Sequence, residues 1–171
     1  EVSHAVGQDS RIGSKFLKSG PGFGGSCFKK DILNLVYLSK YYGLNEVANY
    51  WKNVVEINEW QQKRIYKEIV KRLFGNLADK KIAILGFSFK ENTNDTRESP
   101  AISICNNLIN EGAFLSIHDE IVKPSTIEKD LHKAERNLEN TNNKIHQWEY
   151  QFDIYKCFRD AEAAIFLTDM P

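Results

Sequence analysis

Cys27 closes a glycine-rich stretch and opens a helix-patterned one, a position from which a thiol can do chemistry. A thiol attacks as its thiolate, and a helix N-terminus with Lys29 and Lys30 alongside favours the charged form. Gly22, Gly24 and Gly25 precede it; lacking side chains, they let a substrate approach backbone amides, and free amides at a helix start can hold an anion. The alternative for Cys27 is an inert buried thiol, because free cysteine is among the most buried residue types. Asp31 follows one helical turn on, where its carboxylate can sit beside whatever the thiol attacks and orient a water. It can equally be an acidic first-turn residue favoured by the helix dipole.

A second candidate cluster lies downstream. Gly86-Phe87-Ser88-Phe89-Lys90 follows an apolar run, but the G-x-G-x-x-G needed for tight pyrophosphate approach is absent. Lys90 and the amides of this turn can instead hold a nucleotide diphosphate or a sugar at the carboxyl edge of a sheet, or Lys90 can be a solvated lysine. In Asp95-Thr96-Arg97-Glu98-Ser99-Pro100, Arg97 is free to face a phosphate or to pair with Asp95 or Glu98. Asp119 ends a strand where Rossmann folds place a ribose-binding acid, a minor candidate without the glycine signature. His4, His118, His132 and His146 show no metal-ligand spacing with one another or with the cysteines, so no metal is expected.

The elements that must position these residues follow from pattern. Residues 10–27 hold five of the ten glycines and one of the four prolines, an irregular loop. From Lys29, Ile32, Leu33, Leu35, Val36 and Leu38 recur at helical spacing up to Gly43. Asn45 can cap a second helix in which Val47, Trp51, Val54, Ile65, Ile69 and Leu73 share a face as far as Gly75. Some 29 residues at about 1.5 Å each give roughly 43 Å, more than a small domain covers. That helix bridges two domains or meets a partner, and Tyr50, Trp51 and Trp60 suit an interface. After Asp79 the period changes: a strand at Lys81–Leu85, a helix from about Glu98 to Asn110, a strand from Ala113 to Ile117 and a last strand from Ala163 to Leu167. Residues 124–150 are polar and are expected to form helix and mobile loop without a site. Strand, helix, strand makes the class α/β: a helical segment over residues 1–76, then a Rossmann-like parallel sheet over 77–171.

Composition excludes several functions. Lys plus Arg and Asp plus Glu number 23 each among 171 residues, so no net field draws nucleic acid or an anionic membrane. No run approaches the roughly 18 apolar residues of a membrane span, and the first residues lack a signal pattern. Three dispersed cysteines suit reduced thiols. A cytoplasmic protein is expected, and the ends of the chain suggest a piece of a longer one.

Phe16-Leu17-Lys18-Ser19-Gly20-Pro21-Gly22-Phe23-Gly24-Gly25-Ser26-Cys27-Phe28-Lys29-Lys30-Asp31, with Arg11-Ile12-Gly13 before it, resembles the catalytic segment of the UDP-glucose dehydrogenase family. Lys81–Lys90 and Asn94–Ser99 agree in order and spacing. The resemblance covers most of residues 1–125. It implies the end of a central helical dimerisation domain carrying the catalytic loop and the connecting helix (1–76), followed by an incomplete Rossmann-like UDP-sugar-binding domain (77–171). It further implies an NAD-dependent double oxidation of UDP-glucose to UDP-glucuronate, with Cys27 as nucleophile and Asp31 assisting water or proton transfer.

By the same matching, Phe16 and the loop Lys18, Ser19, Gly20, Pro21, Gly22, Phe23, Gly24 wrap the substrate, with Phe89 and Lys90 on the sugar nucleotide. Arg11 reaches substrate in a neighbouring subunit of a homodimer or higher homo-oligomer, and Arg97, with Cys27, contacts NAD. The Gly20-Pro21 pair and Glu120 after Asp119 depart from the family pattern. Rival readings are a GDP-mannose or UDP-N-acetylmannosamine dehydrogenase, which share the cysteine loop, and a non-catalytic dimerisation module.

Overall fold

The computed structural model describes residues 1–14, 17, 19–135 and 147–169, apart from the side chains of 132–135. Helices α1 (Val2–Gly7), α2 (Phe28–Tyr41) and α3 (Asn45–Arg72) come first. They lead into β1 (Lys81–Leu85), α4 (Pro100–Asn110), β2 (Phe114–His118), α5 (Pro124–Glu135), β3 (Trp148–Tyr150), α6 (Ile154–Phe158) and β4 (Ala163–Phe166). The described strands form one parallel sheet in the order β3-β2-β1-β4. The chain steps from β1 to β2 to β3 in one direction and then crosses to β4 on the other side of β1, so the order reverses at a switch point between the carboxyl ends of β1 and β4.

The period-two pattern of the strands explains both faces. Ile82 and Ile84 of β1, with Leu115 and Ile117 of β2, join Ala101, Ile104, Cys105 and Leu108 of α4 and Ile127 and Leu131 of α5 in the main core. The alternate residues Ala83 and Leu85 face Cys157 of α6, with Ile154 and Ala161 at the margin. Cys157 donates to the Ser116 carbonyl at 3.0 Å. Cys105 and Cys157 are therefore core thiols, and burial pushes both up in pKa.

α3 is about 42 Å long at 1.5 Å per residue. It packs on α2, with Ile32 and Val36 buried on α2 and Ala48 and Val55 buried on the first half of α3. Its second half lays Ile65, Tyr66, Ile69, Val70 and Leu73 on the sheet core. Tyr66 donates to Glu111 at 2.5 Å beyond the end of α4, and that bond to a carboxylate holds the phenol up at about 12. One helix thus bridges both regions.

Several boundaries and elements differ from the sequence reading, and β2 and β4 differ from their expected bounds by a residue. Leu44, not Asn45, occupies the cap of α3, and no side chain caps it. α4 starts at Pro100, because Ser99 accepts from the Ala101 amide and Glu98 has φ of 54°, which no helix admits. β3 arises at Trp148–Tyr150, where loop was expected: it pairs with Leu115, Ser116 and Ile117 of β2. The short helices α1 and α6 were not anticipated. Within 124–150, α5 is the expected helix, and the loop expected over 136–146 lies outside the described residues.

Candidate active site

Cys27 stands at the start of α2 and is the exposed thiol of the three. Its carbonyl accepts from the Asp31 amide at 2.9 Å, so Asp31 lies one turn along the same helix, and it too is exposed. The inert-core alternative for Cys27 is thereby removed. The Lys29 ammonium does not act as a free cation: it pairs with Glu98 at 3.1 Å and approaches Glu59 at 3.9 Å.

The glycines before Cys27 face the protein. A Cβ on Gly22 would meet Asn58 Oδ1 at 2.7 Å; one on Gly24 would meet the Glu98 carbonyl oxygen at 2.5 Å and Phe89 Cβ at 2.8 Å; one on Gly25 would press on the Phe89 ring. Substrate approach was the expected reason for these glycines, and their observed use is to let the loop lie directly on α3 and on the segment before α4. The Gly25 amide donates to the Arg97 carbonyl at 2.8 Å, closing that contact. Glu98, a non-glycine residue in the left-handed region, aims its carbonyl at Gly24 and its carboxylate at Lys29.

The β1–α4 turn also departs from expectation. The Gly86 amide donates to the His118 carbonyl, Phe87 and Ser88 donate to Asp119 Oδ2 at 2.7 and 3.3 Å, and Phe89 donates to the Asp95 carbonyl. No amide from 86 to 89 is left over for a diphosphate. Asp119 Oδ1 accepts from Ile121 and Val122 at 2.9 and 2.8 Å, so this buried carboxylate bridges two turns and is not presented as a ribose acceptor. Ser99 Oγ donates to the Phe87 carbonyl and Thr168 Oγ1 to that of Ser88. The turn is a rigid platform that presents half-buried Phe89 and exposed Lys90, whose ammonium lies 5.3 Å from the Phe89 ring centre.

Arg97 is exposed and held by Asp95 at 2.7–3.2 Å, which settles the pairing left open between Asp95 and Glu98. The guanidinium holds the Asp95 carboxyl below its ordinary range; Arg97 is in turn raised, chiefly by Asp95 and, more weakly, by its proximity to Cys27. Arg97 and Cys27 therefore share one electrostatic neighbourhood. Arg11 is also exposed, but its guanidinium closes on Asp9 at 2.6 Å in the preceding turn. Ser19 and Gly20 are exposed and Pro21 half-buried, with Gln61 donating to the Gly20 carbonyl at 3.3 Å. Phe16 and Lys18 lie outside the described residues.

A cleft of about 760 Å³ opens beside the thiol loop, between α3 and α4. Ser26, Lys29, Asn58, Arg97, Glu98 and Asp130 are among its walls, whereas Cys27 and Lys90 are not. Asn58 was missed by the sequence reading. The signal was present: the apolar stripe of α3 breaks between Val54 and Ile65, and Asn58, Gln61 and Gln62 occupy the gap where the loop docks.

Fold and site together define a Rossmann-like α/β unit approached by a long helix, with an exposed cysteine in a glycine loop at their junction. Residues 83–171 match the UDP-binding domain of the UDP-glucose/GDP-mannose dehydrogenase family, and residues 1–60 match its central domain. The chain belongs to that family. It is 46% identical to UDP-glucose 6-dehydrogenase 4 of Arabidopsis thaliana, over 99% of this chain and 37% of that protein. It is also 46% identical to the UDP-glucose 6-dehydrogenase of Drosophila melanogaster, over 99% of this chain and 35% of that protein. A UDP-glucose dehydrogenase structure from Pyrobaculum islandicum superposes with a TM-score of 0.76 at 31% identity, covering 99% of this chain and 35% of the other. The GDP-mannose dehydrogenase of Pseudomonas aeruginosa shares the fold, with a TM-score of 0.67 at 21% identity, over 99% of this chain and 37% of that one. The chain thus spans little more than a third of these relatives. Among the described residues, no helix is long and apolar enough to cross a membrane.

Proposed function

We propose that this chain is the thiol-bearing, sugar-nucleotide-binding part of a cytoplasmic, NAD-dependent UDP-glucose 6-dehydrogenase, with residues 1–76 ending its central dimerisation domain and 77–171 forming its UDP-sugar-binding domain. The observation that carries the reading is the exposed Cys27 at a helix start, one turn from Asp31 and within electrostatic reach of Arg97.

The residues present fit NAD only at an edge: Arg97, exposed and pre-aimed by Asp95, suits a phosphate, while the amides of residues 86–89 after β1 are already engaged within the protein. The main cofactor site would belong to residues outside this chain. When bound, NAD would accept a hydride at each of two oxidations. Cys27 adds to the C6 aldehyde as the thiolate, giving a thiohemiacetal and retaining the aldehyde in the site. After the second oxidation the sulfur carries a thioester, and Asp31 orients the water whose attack releases the carboxylate and frees the thiol. Phe89 and Lys90 hold the sugar nucleotide on the braced turn, and the loop from Lys18 to Gly24, with Phe16, wraps it. Arg11 serves the site of a neighbouring subunit, which requires it to leave Asp9.

The test is NAD reduction by the full-length protein with UDP-glucose and with GDP-mannose. We expect UDP-glucuronate from the first and loss of net turnover in Cys27→Ser; turnover of GDP-mannose alone overturns the assignment.

A further inference from the structure

The segment from Phe23 to Phe28 carries the thiol, and its leading end is held by one side chain from another helix. Asn58 Oδ1 accepts from the Phe23 amide at 2.8 Å, and Asn58 Nδ2 donates to the Phe23 carbonyl at 3.0 Å. Both backbone groups of one residue are gripped by both ends of one amide, which also fixes which end is oxygen. Asn58 is buried at 9% exposure. Asparagine is a weaker helix former than alanine in a helix interior, and a buried amide is costly unless satisfied. The contact to Phe23 supplies that satisfaction, 35 residues away in sequence.

The grip is transmitted to the sulfur. The Phe23 ring stands edge-on to Phe28, centroids 4.7 Å apart, and Phe28 is the first residue of α2 immediately after Cys27. Phe23 and Phe28 therefore pinch the Cys27 loop from both ends, while the Gly25 amide on the Arg97 carbonyl fixes its middle. Gly22 is part of the same device, since a Cβ there would strike Asn58 Oδ1.

We propose that Asn58 is a positioning residue for Cys27: by holding Phe23 through both backbone groups it sets the register of the loop and so the place of the sulfur at the head of α2. This rests on the dehydrogenase reading only for its kinetic consequence. Asn58 itself has no role in bond making; it acts through Phe23.

The experiment compares wild type with Asn58→Leu, which keeps the branched shape and heavy-atom count and can bond neither group, in the full-length protein. Iodoacetamide labelling of Cys27, followed by peptide mass spectrometry without substrate or cofactor, reads the sulfur directly; buried Cys105 and Cys157 serve as internal controls. We expect Cys27 labelling to slow by about fivefold or more as the sulfur leaves the helix start. We also expect kcat with UDP-glucose to fall by about 10²-fold, while KM moves less than about threefold. A folded variant labelled at the wild-type rate or faster overturns the proposal, whatever its melting temperature, because a merely structural asparagine changes stability alone. Should the leucine variant not fold, Asn58→Asp is read instead: it keeps the acceptor for the Phe23 amide, sets an oxygen against the Phe23 carbonyl, and is expected to slow labelling to a smaller degree, with an unchanged rate again overturning the proposal. If the wild type does not oxidise UDP-glucose, the functional reading falls while the labelling comparison still decides the role of Asn58.

Discussion

The cysteine loop and the β1–α4 turn meet at Gly24 and Phe89 and are held in opposite ways. In the turn, Asp119, Ser99 and Thr168 engage nearly every backbone group of Phe87 and Ser88, all at buried or half-buried positions. In the loop, contacts are few and spaced: Gln61 on Gly20, Asn58 on Phe23, the Arg97 carbonyl on Gly25. The turn is a fixed platform because its hydrogen bonds are dense and dry. The loop keeps a free sulfur because three anchors suffice to place it without covering it. A braced platform and an accessible thiol call for different backbones, and here the two lie side by side.

The comparison is broken most severely by Asp119→Ala, which strips four amides of their acceptor, those of Phe87, Ser88 and Val122 in buried bonds and that of Ile121 in a part-buried one. A loss of about 3 kcal/mol or more is expected in urea unfolding followed by tryptophan fluorescence. A loss below about 1 kcal/mol would show that the turn does not depend on this carboxylate.

A finer test sets two glycines of the loop against each other. Gly24→Ala must move backbone, because its new methyl meets the Glu98 carbonyl at 2.5 Å, whereas Gly20 has nothing within 4 Å. We expect Gly24→Ala to cost about 1–3 kcal/mol and Gly20→Ala to stay within about 0.5 kcal/mol. Equal costs would mean that the loop is not docked as described.

The smallest expected effect tests whether α3 couples the two regions. Tyr66→Phe removes the bond to Glu111 that ties the helix bearing Asn58 to the sheet bearing the turn. About 1 kcal/mol is expected, after discounting for partial exposure. The sign with pH follows from a phenol held at about 12 in the fold against an ordinary 10.0. Its contribution is full below pH 10, fades between pH 10 and 12, and is absent from the phenylalanine variant. Unfolding curves at pH 9 and 11.5 measure it; a wild-type protein whose stability advantage over the variant is the same at both would refute the coupling.

The sequence determined a good deal by itself. Short, mainly apolar runs placed β1 and, to within one residue, β2, helical spacing placed α2 and α4, and glycine density ahead of Cys27 marked the loop, because local pattern and turn chemistry are written in neighbouring residues. It did not disclose β3, whose three residues make a strand only by pairing with β2 at the sheet edge. Nor did it disclose that Asp119 holds amides on both flanking turns, that the glycines accommodate Asn58, Glu98 and Phe89, or that Lys29 is neutralised by Glu98. Apart from the local bonds of Asp119 to Ile121 and Val122, those facts join residues far apart in sequence, from Asp119 with Phe87 and Ser88 to Lys29 with Glu98, or turn on which side of a glycine another chain segment happens to lie. Such pairings come into being only when the helices and sheet dock, so tertiary structure alone decided them.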